Sequence, residues 1–205
     1  MPSAAILAGG QARRFGGRDK SGLVLGGRSI LARQIEELAR VSNDVLIVGS
    51  ASGLEELPFV PSGTVVRRIP DRIPGRGPLG GLETALTSAR EDLLVVVACD
   101  MPYVEASFLN YIVSLADGCD AVVPKTGHGP HPLCAVYGRH CLDAVRDQLA
   151  AGRLSMKTLL LRLEVRYVLE RELDRFGGAK RLLANVNTPG ELAEVVEAAE
   201  HEVSS

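Results

Sequence analysis

Two kinds of apolar pattern alternate along this chain. The first is a short unbroken run: Ala4–Leu7, Val45–Val48, Leu93–Ala98, Ala121–Pro124 and Leu133–Tyr137, with Val65–Ile69 a similar segment interrupted by Arg67 and Arg68. Runs of that length, rich in valine and bounded by glycine or charge, predict strands, and those with no polar alternation predict burial on both faces. Leu93–Ala98 reads LLVVVA and is expected near the centre of the sheet; Val65–Ile69 is the weaker strand, and Arg166–Leu169 is expected at an edge. The second pattern has the helical period. Ile30–Ala39 follows a capping Ser29 and puts Leu31, Ile35 and Leu38 on one face. Gly80–Ala89, Ser107–Ala116, Arg139–Leu149, Ser155–Leu163 and Pro189–Ala199 are the other expected helices, the last with Thr188 as its cap and proline at its first position.

Strands alternating with helices predict an α/β fold, a mostly parallel sheet covered on both faces. Ligands of such sheets bind beyond the carboxyl ends of the strands. That rule directs attention to the residues after Leu7, after Ile69 and after Ala98.

Composition narrows the picture. The chain has 205 residues, 46% of them hydrophobic and 23% charged, which suits one domain with a sizeable core. A net charge of -2 argues against a general nucleic-acid binder, so any basic patch is local. The four cysteines lack zinc-site spacing, and Cys99 and Cys134 sit in apolar runs as buried, unbridged thiols. The first residues do not resemble a secretory signal, and no run nears the ~18 apolar residues of a membrane span. The expectation is a reducing, cytoplasmic setting with no membrane partner. Gly49–Gly63 reads as a mobile connection and Glu202–Ser205 as a frayed tail.

The chemistry concentrates in LAGGQARRFGGRDK, Leu7–Lys20. Glycines at 9, 10, 16 and 17 let backbone approach a ligand, while Arg13, Arg14, Arg18 and Lys20 supply donors and charge. That combination suits a polyphosphate. It fits neither the Walker A pattern nor G-x-G-x-x-G, and on composition alone a solvated turn is the other reading. Asp100 follows the strongest strand, so its carboxylate emerges at the ligand edge. It could face a triphosphate through a divalent cation, or cap the next helix. Pro102 restricts Met101 to extended backbone. Gly75, Gly77, Gly80 and Gly81 around Pro78 suit either a plain loop or close approach of a helix N-terminus to an anion.

LAGGQARRFGGRDK also resembles the N-terminal signature of the molybdenum cofactor guanylyltransferases, in which L-A-G-G precedes an arginine, a hydrophobe–glycine pair and D-K. DRIPGRGPLGGL (Asp71–Leu82) is similar to that family's Asp…G-P-L-x-G stretch, and ACDMPY (Ala98–Tyr103) to its C-D-x-P strand end. HPLCAV (His131–Val136) resembles its H-P segment, and NVNTPGEL (Asn185–Leu192) its N-x-N-T-P-x-E-L ending. The five motifs occur in order along nearly the whole chain.

The resemblance implies a Rossmann-like three-layer nucleotidyltransferase fold in a single domain over 1–205, with about 1–104 binding nucleotide and about 105–200 binding a pterin. It implies transfer of GMP from GTP to the terminal phosphate of molybdopterin with Mg2+ as cofactor, releasing pyrophosphate. By the same resemblance Leu7, Ala8, Gly9 and Gly10 receive the nucleotide, Asp71 contacts it, Lys20 meets the phosphates, Arg14 meets the leaving pyrophosphate, and Asp100 holds the metal. His131, Asn185 and Asn187 are the implied pterin residues. Transient contacts with molybdenum-insertion proteins or recipient molybdoenzymes are implied as well. Where relatives carry an Asn after the second strand, this chain has Gly49-Ser50, so backbone or Ser50 substitutes or the contact is missing. The rival readings are a CTP-dependent molybdopterin cytidylyltransferase, whose relatives tend to L-A-A-G, a sugar-1-phosphate nucleotidyltransferase, and a non-catalytic nucleotide-binding adaptor.

Overall fold

The computed structural model of the chain describes residues 1–8, 24–25, 27–49 and 60–186. The glycine-rich loop beyond Ala8, most of the 49–63 connection and the helix expected at Pro189–Ala199 lie outside the described residues. In chain order the elements are β1 (Ser3–Leu7), the hairpin strands β2 (Val24–Leu25) and β3 (Arg28–Ser29), α1 (Ile30–Ala39), β4 (Asp44–Val48), β5 (Val65–Ile69), α2 (Gly77–Ser88), β6 (Leu93–Ala98) and α3 (Ala106–Ser114). They continue with β7 (Ala121–Thr126), β8 (Gly129–Pro130), β9 (Cys134–Gly138), α4 (Cys141–Ala150), α5 (Met156–Leu160), β10 (Val165–Leu169), α6 (Glu170–Leu173), a 3-10 turn (Asp174–Phe176) and α7 (Gly178–Leu182).

The main sheet has the order β10-β7-β9-β6-β1-β4-β5, with β8 paired to β7. β6 takes the central place expected of LLVVVA, and β10 the expected edge. The pairs β1–β4, β1–β6, β4–β5 and β7–β10 are parallel. β9 runs against β6 and β7. Its reversal has a simple cause: only residues 127–133 join β7 to β9, too few for a parallel crossover.

Side chains of the buried strands divide by parity. Ala4, Ile6, Val45, Ile47, Val95 and Val97 pack with α1 and α3 residues such as Leu31, Ile35, Phe108 and Ile112. Ala5, Leu7, Leu46, Val48, Leu94 and Val96 pack with Leu79, Leu82 and Leu86 of α2 and Val145 and Leu149 of α4. Each strand therefore feeds two cores, which is why its sequence is apolar throughout. Cys134 is buried, Cys99 is half-buried, and none of the four cysteines forms a disulfide. Burial pushes the Cys134 thiol up to about 12. No helix among the described residues is long and apolar enough to cross a membrane.

Ser29 caps α1 as expected, its Oγ accepting from Ala32 N at 3.1 Å. α2 begins at Gly77 rather than at the expected Gly80. Pro78 belongs comfortably in a first helical turn, and burial of Leu79 through Leu82 outweighs the poor helix propensity of the glycines. α5 stops at Leu160, short of the expected Leu163, where Leu161 turns outward with 85% exposure. The short α6, the 3-10 turn and α7 have no counterpart in the expected elements, being too brief to show a helical period.

At the amino ends of the strands lies a buried polar knot. Ser3 Oγ donates to Asp44 Oδ2 at 2.7 Å, Arg67 Nε donates to Oδ1 at 2.9 Å, and Arg67 Nη2 reaches both carboxylate oxygens. The Arg90 amide adds a bond to Asp44 Oδ2 at 3.2 Å.

Candidate active site

The carboxyl ends of four strands form one row across the sheet. Leu7 is registered with Val48 on one side and Ala98 on the other, and Val48 with Ile69. Backbone bonds extend the row past the strands: Ala8 N to Val48 O at 2.8 Å, Gly49 N to Ile69 O at 2.9 Å, and Cys99 N to Leu7 O at 3.2 Å. Asp71 and Asp100 therefore stand beyond β5 and β6, on either side of the β1 end. Strand spacing puts those two strands about 14 Å apart, a span that fits a nucleotide. Leu7 and Ala8 lie between them and keep only 6% and 9% exposure.

Helix α2 covers the same row. A Cβ at Gly81 would stand 3.5 Å from Leu7 Cδ2, so the start of α2 rests on the end of β1. A Cβ at Gly80 would meet Arg76 Cβ at 2.8 Å and the Ile73 carbonyl at 3.3 Å. Glycine there lets the Asp71–Arg76 loop fold tightly onto the helix, and Thr84 Oγ1 accepts from Arg72 N at 3.1 Å to hold it. Asp71 is half-buried, and that burial holds its carboxyl above the ordinary 3.8. A cation or hydrogen-bond donor from a ligand would relieve it.

Asp100 occupies a tight turn. Met101 N donates to Ala98 O at 3.3 Å, Val186 N donates to Asp100 O at 2.8 Å, and Gln34 Nε2 reaches Ala98 O and Met101 O at 2.7 and 2.9 Å. Met101, Pro102 and Tyr103 are buried, which fixes the exit from the turn. The capping role open to Asp100 falls elsewhere: α3 has Glu105 at its N-cap, and its first amide, Ala106 N, donates to Glu37 Oε2 at 2.8 Å.

Two of the implied pterin residues, Asn185 and His131, lie toward the same edge. Asn185 is exposed and directly precedes the amide bonded to Asp100 O. His131 lies one strand further along, before β9, and Leu133, just ahead of that strand, accepts through its carbonyl from Ala98 N at 2.8 Å. Its Nε2 lies 3.1 Å from Thr126 Oγ1. Lys157 Nζ reaches the neighbouring β7–β8 hairpin, 3.9 Å from where a Gly129 Cβ would stand. Gly9, Gly10, Arg14, Lys20 and Asn187 lie outside the described residues. Among the described residues there is no cluster of three metal-ligating side chains.

Burial first, and then the nearby His128, lower the His131 pKa from its ordinary 6.5. The unfolded chain thus binds this proton at a higher pH than the folded chain does. His131 stabilises the fold fully above 6.5, and that contribution is lost as pH falls through 6.5 toward the folded value. Thermal melts of wild type and His131→Gln should differ by a constant amount above neutrality, and the wild type should lose stability relative to the variant as pH falls through 6.5. Melting curves that stay parallel over that range would contradict the assignment.

A mostly parallel sheet whose carboxyl edge carries Asp71 and Asp100 beside a glycine-bearing helix start suits a nucleotide-handling enzyme, and the relatives give the class, a nucleotidyltransferase. Comparison with known proteins gives the family. The MobA-like NTP transferase domain matches residues 4–165, and the chain belongs to that family. It is 34% identical to the molybdenum cofactor guanylyltransferase of Desulfosudis oleivorans, covering 91% of this chain and 90% of that protein. It is 35% identical to the probable molybdenum cofactor guanylyltransferase of Pelotomaculum thermopropionicum, covering 91% and 88%. The crystal structure of molybdopterin-guanine dinucleotide biosynthesis protein A from Archaeoglobus fulgidus superimposes with a TM-score of 0.74 at 27% identity, covering 97% of this chain and 99% of that one.

Proposed function

We propose that this nucleotidyltransferase transfers GMP from GTP to the terminal phosphate of molybdopterin, forming a molybdopterin guanine dinucleotide and releasing pyrophosphate. The observation that carries the reading is the position of Asp100 beside the Leu7–Ala8 end of β1, where the polyphosphate loop begins. The names of the relatives support guanine as the base and molybdopterin as the acceptor.

In this reading residues 1–104 hold the nucleotide. Leu7, Ala8, Gly9 and Gly10 bring backbone against base and ribose, and Asp71 accepts from the nucleoside. Lys20 neutralises the phosphates as a point charge, and Arg14 forks onto the departing pyrophosphate. Asp100 fits a hard divalent cation: it offers carboxylate oxygen at a fixed turn, and magnesium commonly takes one or two carboxylates and fills its shell with phosphate and water. When bound, Mg2+ offsets the negative charge of the triphosphate. The acceptor's terminal phosphate is already anionic near neutral pH and attacks the α-phosphorus directly. A new P–O bond forms as the bond to the β-phosphate oxygen breaks, and pyrophosphate carries away the charge. No proton has to be removed, so no catalytic histidine is assigned. His131, Asn185 and Asn187 face the acceptor side within residues 105–200 and orient the pterin.

Parallel calorimetric titrations of GTP and CTP in Mg2+ test the base. GTP is expected to bind at least about tenfold more tightly, roughly 1.4 kcal/mol. Tighter CTP binding would favour the cytidylyltransferase reading instead.

A further inference from the structure

We propose that Gln34, on the buried face of α1, is a positioning residue that keeps the Asp100 turn in shape to hold a divalent cation. The inference rests on the metal reading of Asp100 given above.

The helix pattern makes Gln34 conspicuous. The buried face of α1 comprises Ile30, Leu31, Ile35, Leu38 and Ala39, and Gln34 lies among them with 2% exposure. A buried primary amide costs free energy unless its hydrogen bonds are made. Its Nε2 donates to Ala98 O at 2.7 Å and to Met101 O at 2.9 Å, across 64 and 67 residues of sequence. Both nearby atoms are carbonyl oxygens, so the end of the amide facing them must be the donating NH2.

These two carbonyls bracket Asp100. The Met101 amide also bonds to Ala98 O, and Asp100 O is held separately by Val186 N. Gln34 is thus the side chain that ties the two ends of the turn to one rigid helix. That helix follows directly on the β2–β3 hairpin. A carboxylate on a turn held in this way needs no rearrangement when the cation arrives.

A matched control exists in the same molecule. Gln148 on α4 is also a buried glutamine, 1% exposed, and its Nε2 donates to Ser155 O at 2.8 Å. It packs on the opposite face of the sheet, away from the turn. Gln34→Met and Gln148→Met should both lower the melting temperature. Only Gln34→Met should weaken Mn2+ binding to the GTP complex, by about tenfold, followed by water-proton relaxation. Only Gln34→Met should speed deuterium exchange in the peptide spanning residues 98–104. Gln34→Asn, which draws the amide back by one methylene, should show the same two effects more mildly and serves if the methionine variant folds poorly.

Equal Mn2+ affinity and equal exchange in the two glutamine variants would overturn the inference. Asp100→Asn measured alongside separates the two ideas. If it weakens Mn2+ binding and Gln34→Met does not, the positioning role alone falls. If it too leaves Mn2+ binding intact, the metal reading falls and the positioning role with it.

Discussion

Asp100→Asn is expected to lower GTP- and magnesium-dependent turnover by about 10²–10³-fold, the usual cost of removing one central electrostatic group from such a site. The substitution keeps the size and planarity of the side chain and removes its charge. The surrounding turn is held mainly through backbone, by Val186 N, the Met101 amide and Gln34, and none of those bonds uses the carboxylate. The loss should fall mainly on kcat, because the charge is needed most where charge builds up during transfer. Steady-state pyrophosphate release reads this directly. A folded variant with undiminished turnover would remove Asp100 from the chemistry.

The second large effect is expected at the other end of the sheet and on stability. Asp44→Ala strips the carboxylate from Ser3, Arg67 and the Arg90 amide at once. Breaking a buried ion pair from one side leaves the other charge uncompensated. Here the Arg67 side chain keeps 25% exposure, so water recovers part of the loss. The expected cost is about 3 kcal/mol, the low end for such pairs, or a fall in Tm of roughly 6–12 °C for a chain of this size. Turnover per folded molecule should match wild type, since the knot lies at the amino ends of the strands. Differential scanning calorimetry checks the first part; an unchanged Tm would mean that the knot contributes nothing net.

Much of this architecture was legible from apolar runs. Ala4–Leu7 and Leu93–Ala98 announce themselves because a strand buried on both faces has no polar residues to interrupt it. Ser29 marks the start of α1 because only a side-chain oxygen satisfies the first open amides. Other features depend on contacts that sequence does not display. The early start of α2 comes from Pro78, at ease in a first helical turn, and from the burial of Leu79, which the glycines around it mask. The reversal of β9 follows from the brevity of residues 127–133, once the neighbouring strands are placed. The short helical pieces between β10 and Val186 carry no period, yet they return the chain to the Asp100 turn. Asp100 could be singled out from its place after the strongest strand. Gln34 could have been found too: it is the polar residue interrupting an otherwise apolar helix face, and such an interruption signals a buried hydrogen bond.

The most direct test is a crystal of the protein grown with Mn2+ and a non-hydrolysable GTP analogue, with anomalous scattering used to locate the metal. The expected result is a manganese peak within bonding distance of an Asp100 carboxylate oxygen and of a nucleotide phosphate, with the base lying over Leu7 and Ala8. Nucleotide and metal bound together at a different edge of the sheet, away from Asp100, would contradict the account.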